Sequence, residues 1–344
     1  MGEYRMMGSL IESVVRKYWL TWRGSIQKGI GGWNNTTYFV GNDDLRYVLR
    51  CYETHRDREK IEFEHAILES LQHQSLSFKV PIPVKALDGQ TIVQMDDGSG
   101  KFACLFEYIE GLSPKESNTV IANSFGEVTG ELSVTLARVN LDIAPAYRPY
   151  YELEKSYPIC TREVVLDFCE NPPEAFDDLT DILHKLRIAY IEICESLTGL
   201  EKLPQQLVHG DLNESNLLVH KEHVDQVCAL LDFEFCTIDV RAMEPAVVIS
   251  GLLGHQDEIA TVRQFCTGFA SKVQLLPEEV AAIPILMRLR KVDVFLHFLS
   301  RYLMDTDGPE VLREQVQLLV ADLKQLELSW IWIEKELNIL AKGT

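Results

Sequence analysis

The spacing of apolar residues changes character along this chain. Near the start, "SLIESVVRKYW" (residues 9–19) carries apolar positions at helical spacing. Short runs rich in β-branched and aromatic residues follow: "SIQKGI", "TTYFVG", "YVLRCY", "TIVQMD" and "FACLFEYI". Turn-forming clusters such as GGWNN, GNDD and DDGSG separate them, as expected of strands in an antiparallel sheet. One stretch interrupts the series. In "HRDREKIEFEHAILESLQHQ", Ile61, Ala66, Ile67, Leu68 and Leu71 recur at helical spacing, which predicts a single helix after the third strand.

Beyond Gly111 the periodicity is helical. "TVIANSFGEVTGELSVTLARVN", "AFDDLTDILHKLRIAYIEICESLTGL", "EPAVVISGLLG", "TVRQFCTGFASKV", "PEEVAAIPILMRLRKVDVFLHFLSRYL" and "EVLREQVQLLVADLKQLELSWIWIEKEL" are all expected as helices. The only strands expected there are "NLLVH" and "VCALLDF", joined by the polar "KEHVDQ" into a hairpin. The pattern predicts an α+β protein of two lobes. A small antiparallel sheet with one helix occupies residues 1–111, with a connector near Phe106–Gly111. A larger, mostly helical lobe carrying one β-hairpin occupies 112–344.

Polar residues sit where ordinary strands would carry Val or Thr. "LVHGDLNESNLLV" (residues 207–219) sets His209, Asp211 and Asn216 among apolar residues, and "CALLDFEF" (228–235) ends its apolar run on Asp232. A hairpin lays its strands side by side, so Asn216 and Asp232 can converge at one end. A carboxylate and an amide oxygen are hard donors that suit magnesium completed by phosphates and water. Asp211, across the loop, is placed to accept a proton from a hydroxyl. Phosphoryl transfer needs these parts: a base that orients the nucleophile, and ligands for a cation that neutralises phosphate charge.

The motif "HGDLNESN…LDFE" resembles that of the kinase-like small-molecule phosphotransferases, which include aminoglycoside phosphotransferases, choline kinases and kinase-like homoserine kinases. Their pattern, H-G-D-x4-N followed by I/L-D-F/W-E, parallels the H-R-D-x4-N and D-F-G of protein kinases. Gly210 in place of Arg and Glu234 in place of Gly favour the small-molecule branch. No DFG, APE or activation segment follows Asp232, which argues against a protein kinase. The resemblance implies a protein-kinase-like fold, ATP and Mg2+ as cofactors, Asp211 as catalytic base, and Asn216 and Asp232 as metal ligands. It makes His209 structural, with a lone histidine base as the alternative. Together with "DVRAMEPAV", the motif looks most like the homoserine-kinase-like group, implying an amino alcohol or hydroxy amino acid as acceptor. Choline-kinase-like and aminoglycoside-kinase-like readings stay open. So does a non-catalytic role like that of spore-coat relatives, although a scaffold has no use for metal ligands.

The resemblance also assigns a nucleotide side. In "KGIGGWNNTTYFV", Gly29, Gly31 and Gly32 let backbone N–H groups approach phosphates, with Asn34 following them. Arg50 stands where kinases carry Lys, and its guanidinium can hold two phosphate oxygens in a fork. Its partner on the next helix is expected to be Glu64, with Glu62 as the alternative. Backbone groups from Glu107 to Ile109 are expected to meet adenine, and ATP to lie between the lobes. Toward the C-terminus, Arg288, Arg290, Asp293, His297 and Arg301 are expected on a solvated helix face, with reading of a substrate carboxylate or amine as the alternative. Glu244, at a helix start, is expected to be structural.

Composition narrows the partners. The 344 residues suffice for two lobes with a sizeable core. The net charge of -19 disfavours nucleic acid and anionic membrane, and suits a cationic or zwitterionic small molecule. Eight scattered cysteines with no CxxC pair fit buried, reduced thiols. The N-terminal segment lacks a signal-peptide pattern and no apolar run reaches the length of a membrane span, so a cytoplasmic protein is expected.

Overall fold

A computed structural model describes residues 2–29, 35–53, 57–114 and 119–341. The chain forms two compact units. The first runs to Leu112 and takes in Asn140–Ala146 and Cys228–Glu234; the second comprises Ser113–Val139, Tyr147–Val227 and Phe235 onward.

The first unit opens with helix α1 (Gly2–Arg16). A five-stranded antiparallel sheet follows, made of β1 (Ile26–Lys28), β2 (Asn35–Asn42), β3 (Leu45–Tyr52), β4 (Val93–Gln94) and β5 (Phe102–Glu107) in the order β1-β2-β3-β5-β4. Helix α2 (Arg58–Gln72) lies after the third strand, as the periodicity predicts. Asp57 caps it, its side chain accepting the Glu59 N–H at 3.1 Å. Side chains alternate across a strand. On one face Leu49 and Cys51 of β3 join Ala103 and Leu105 of β5 and Ile11, Val14 and Val15 of α1 in a buried core. The alternation turns Arg50 and Tyr52 to the other face, where both reach Glu64 of α2. The segment Cys228–Glu234 is bound to this unit through Lys79. The Lys79 N–H donates to the Cys228 carbonyl at 2.8 Å, and the Leu230 N–H donates to the Lys79 carbonyl at 3.0 Å.

The second unit is mostly helical. Its helices are α3 (Thr119–Leu136), α4 (Leu153–Ser156), α5 (Arg162–Glu170), α6 (Thr180–Ser196), α7 (Met243–Leu252), α8 (Glu258–Ala270), α9 (Pro277–Leu303), α10 (Pro309–Ser329) and α11 (Ile333–Leu337). The stretch expected as one C-terminal helix is broken after Ser329 and resumes at Ile333. Helices α3 and α8 approach backbone to backbone at two glycines. A Cβ on Gly126 would lie 2.1 Å from the Phe265 carbonyl oxygen, and one on Gly268 would lie 2.0 Å from that of Asn123.

The strand expectation for this part of the chain needs correction. Besides β7 (Leu217–Val219) and β8 (Val227–Leu230), two further strands form, β6 (Gln205–Val208) and β9 (Thr237–Val240). They pair antiparallel, Leu207 opposite Ile238. Each has only four residues and carries Gln or Asp among its apolar positions, so neither shows a strand's alternation by itself. The turn between β7 and β8 closes with the His220 N–H donating to the Gln226 carbonyl at 3.0 Å. All eight cysteines are unpaired, and only Cys194 among them is more than marginally exposed.

Candidate active site

Strand β6 delivers the chain into His209, Gly210 and Asp211, where tight turning is required. Gly210 adopts φ of 79°, and a Cβ there would sit 3.2 Å from the Phe235 carbonyl oxygen. A residue with a side chain would be strained in that conformation as well as crowded. Three groups fix the turn. The buried Glu244, in the first turn of α7, accepts the His209 N–H at 2.6 Å and the Gly210 N–H at 3.3 Å. The Tyr150 hydroxyl donates to the Gly210 carbonyl at 2.7 Å. The Asp211 N–H donates to His209 Nδ1 at 3.3 Å, so His209 supports the loop from within it. Burial pushes the Glu244 carboxyl up to about 7, against the pull of its two N–H donors and with the charges of Asp211 and Asp239 adding to the rise.

Asp211 and Asn216 are brought together. Asn216 Nδ2 donates to the Asp211 carbonyl at 2.9 Å and lies 3.4 Å from its Oδ2. With its nitrogen turned to Asp211, Asn216 keeps its amide oxygen as a hard donor. Asn213 continues the wrapping: its Nδ2 also donates to the Asp211 carbonyl, at 3.0 Å.

A second group of charges surrounds Asp211, on the helix face expected to be solvated. Arg290 of α9 donates from Nη2 to Asp211 Oδ1 and from Nη1 to Asp293 Oδ2, the latter at 3.2 Å. The Tyr157 hydroxyl donates to Asp293 Oδ1 at 2.9 Å, and the Tyr150 ring centroid lies 5.6 Å from the Arg290 guanidinium carbon. Burial pushes the Asp293 carboxyl up to about 6, with Arg290 opposing. The Asp239 carboxylate accepts the Tyr150 N–H and the Val240 N–H, each at 2.6 Å. The expected solvated face of α9 is therefore corrected. Asp293 and Arg301 are buried, Arg301 paired with Asp307, and Arg290 is largely covered. Helical spacing hid this, because Asp211 and Tyr157, which meet Arg290 and Asp293, lie far away in sequence.

In the first unit, Arg50, Glu64 and Asp232 meet. Arg50 Nη1 donates to Glu64 Oε1 at 2.9 Å, and Nη2 lies 3.2 Å from Asp232 Oδ1. Glu62 is engaged with Arg58 on its own helix, so Glu64 is the residue that pairs with Arg50. The Tyr52 hydroxyl donates to the other Glu64 oxygen at 3.0 Å. Burial raises the Glu64 carboxyl despite Arg50. Asn35 Nδ2 donates to Glu234 at 2.9 Å, and burial, reinforced by Asp232, raises the Glu234 carboxyl. Asp232 itself adopts φ of 64°, a left-handed conformation that Asp tolerates better than most side chains.

Asp232 Oδ1 is buried and accepts no hydrogen bond, its charge met by Arg50 alone in the ion pairs described. Such a carboxylate oxygen suits a further cation. Among the described residues, no group of three His, Cys, Asp or Glu side chains stands ready to hold a metal. A magnesium ion would therefore draw most of its oxygens from phosphates and water, as that ion prefers. Gly29 serves the sheet: its N–H donates to the Thr37 carbonyl at 2.8 Å, rather than pointing out for a phosphate. Gly31, Gly32 and Asn34 lie outside the described residues. At the connector, the Glu107 and Tyr108 N–H groups donate to the Ile82 and Arg46 carbonyls, at 3.0 and 3.2 Å, and Ile109 follows half-buried.

A protein-family model described as the phosphotransferase enzyme family matches residues 26–281. The chain belongs to that family. This phosphotransferase is 22% identical over 270 residues to a homoserine kinase of Bradyrhizobium diazoefficiens, covering 76% of this chain and 75% of that one. It is 26% identical over 274 residues to a homoserine kinase of Methylobacillus flagellatus, covering 78% and 77%. Among solved structures, a microcompartment-associated aminopropanol kinase superposes with a TM-score of 0.70 at 18% identity, covering 95% of this chain and 98% of that one. An amicoumacin kinase in complex with AMP-PNP and Ca2+ gives 0.65 at 16% identity, covering 92% and 94%. The phosphotransferase has the kinase-like fold of these neighbours, an antiparallel sheet in one part and helices in the other. Among its described residues, no helix is long and apolar enough to cross a membrane.

Proposed function

We propose that this phosphotransferase moves the γ-phosphoryl group of ATP to the hydroxyl of a small amino-bearing metabolite, an amino alcohol or hydroxy amino acid. The observation that carries the reading is the Asp211 loop. A carboxylate stands at the end of a glycine-dependent turn that buried Glu244 and Tyr150 brace, with Asn216 folded back onto it. Such support is what keeps a general base in one position. The similarity to homoserine kinases and to an aminopropanol kinase supports this acceptor class.

Residue roles follow from the chemistry. Asp211 orients the acceptor hydroxyl and takes its proton. The acceptor oxygen bonds to the γ-phosphorus as the bond to the ADP oxygen breaks, giving a phosphate ester, ADP and one proton. Arg50, braced by Glu64 and Tyr52, binds phosphate oxygens. The Glu107 carbonyl and the Ile109 N–H meet adenine, and Gly31, Gly32 and Asn34 cover the phosphates. Asn216 and Asp232 each offer a hard oxygen donor to magnesium, which when bound would neutralise charge on the phosphates. Most of the rate then comes from positioning and from preset charge.

Asp211→Asn tests the assignment. Turnover should fall by at least about 10²–10⁴-fold, the range for a lost general base, while a non-hydrolysable ATP analogue still binds. Near-normal activity of the variant on amino alcohols, hydroxy amino acids, choline and aminoglycosides would remove Asp211 from this role.

A further inference from the structure

Arg290 holds the residue that must act as base. Its guanidinium donates from Nη2 to Asp211 Oδ1, so this oxygen is already engaged before an acceptor arrives. The same guanidinium spans to Asp293, three residues along α9. The side chains of Asp211, Arg290 and Asp293 are 17%, 20% and 11% exposed, so each keeps an edge toward solvent. Tyr157 fixes Asp293 from the far side, and the Tyr150 ring lies beside Arg290. The cluster thus offers one fork-shaped cation and a fixed anion, side by side, next to the base.

We infer that Arg290 and Asp293 form the acceptor headgroup site, and that they select an α-amino acid. The acceptor's carboxylate takes Arg290 Nη2 in place of Asp211, and its ammonium takes Asp293. The exchange is like for like at Arg290, one carboxylate for another, so the guanidinium keeps two oxygen partners throughout. Asp211 is released to the hydroxyl only when the carboxylate arrives. An amino alcohol carries the ammonium but nothing that displaces Asp211 from Arg290. This inference rests on Asp211 being the base, and it narrows the proposed acceptor class to hydroxy amino acids.

L-Homoserine and 3-aminopropan-1-ol differ only by the carboxylate, which makes them the discriminating pair. The wild-type enzyme should show a higher kcat/KM for homoserine. Arg290→Met should lower the homoserine-to-aminopropanol ratio by about tenfold to a hundredfold, the worth of a lost charge-assisted contact. Arg290→Lys should keep part of that ratio. Asp293→Asn should impair both substrates and leave the ratio near the wild-type value. Melting curves confirm that each variant is folded. A wild-type preference for aminopropanol, or a ratio unchanged by Arg290→Met, overturns the inference. If neither compound is phosphorylated, the proposed acceptor class fails, and calorimetric titration of homoserine in the presence of AMP-PNP decides the headgroup site separately. Binding heat that disappears in Arg290→Met supports the site, and absence of binding by the wild type overturns it.

Discussion

At the scale of single residues, the loop around Asp211 depends on two positions that do no chemistry. Gly210 is held at φ of 79° with the Phe235 carbonyl against it. Gly210→Ala should destabilise the protein by about 1–2 kcal/mol, the cost of left-handed backbone for an L-residue, and should depress kcat as Asp211 shifts. Urea unfolding and steady-state kinetics check both effects. Glu244 acts through its charge state. Its ordinary carboxyl value is 4.5 and its folded value about 7, so between those limits the native state binds more protons than the unfolded one. Its contribution is fully present below pH 4.5 and is lost as pH rises through about 7. Glu244→Gln cannot titrate. A pH series of chemical denaturation should show wild-type stability falling across that window, on the order of 3 kcal/mol relative to the variant.

Elements place these residues, and only some elements were legible in the sequence. The five-stranded sheet and the helix after its third strand could be read, because apolar alternation in β2 and β3 and helical spacing in α2 are local signals. The same alternation turns Arg50 away from the α1 core and toward α2. Asp211, Asn216 and Asp232 stood out as candidates because three polar groups interrupt apolar runs. Strands β6 and β9 were not, since each is short and gains its identity only by pairing with the other. The covered charges of α9 were misread because Arg290 is explained by Asp211 and Asp293 by Tyr157, contacts of long sequence separation. The Arg50–Glu64 link between β3 and α2 can be measured. Arg50→Met leaves Glu64, Asp232 and Glu234 facing one another without their cation, and should cost about 3–5 kcal/mol. Glu64→Gln should cost less, because Arg50 retains Asp232. A double-mutant cycle in urea gives the coupling directly.

For the whole molecule, nucleotide binding is the expected readout of function. AMP-PNP with magnesium, at a hundred times its Kd, should stabilise the folded protein by about 2.7 kcal/mol. Differential scanning fluorimetry should show that gain in wild type and Asp211→Asn, and a much smaller one in Arg50→Met. A purely structural protein would show none. The net charge of -19 gives a polyanion no comparable means of stabilising the fold.

The path of the chain also sets a schedule. The first unit includes Cys228–Glu234, which binds the backbone of Lys79 and sets Asp232 against Arg50. A nascent chain emerging from the ribosome therefore cannot finish this unit when Leu112 appears. It must wait roughly 120 residues, a delay on the order of ten seconds at ordinary elongation rates. Through that interval Arg50 and Glu64 have each other but not the aspartate, and the backbone groups of Lys79 remain open. Synonymous codon changes that slow translation between residues 112 and 228 would prolong this half-assembled state, and should lower the yield of soluble enzyme without altering a single amino acid.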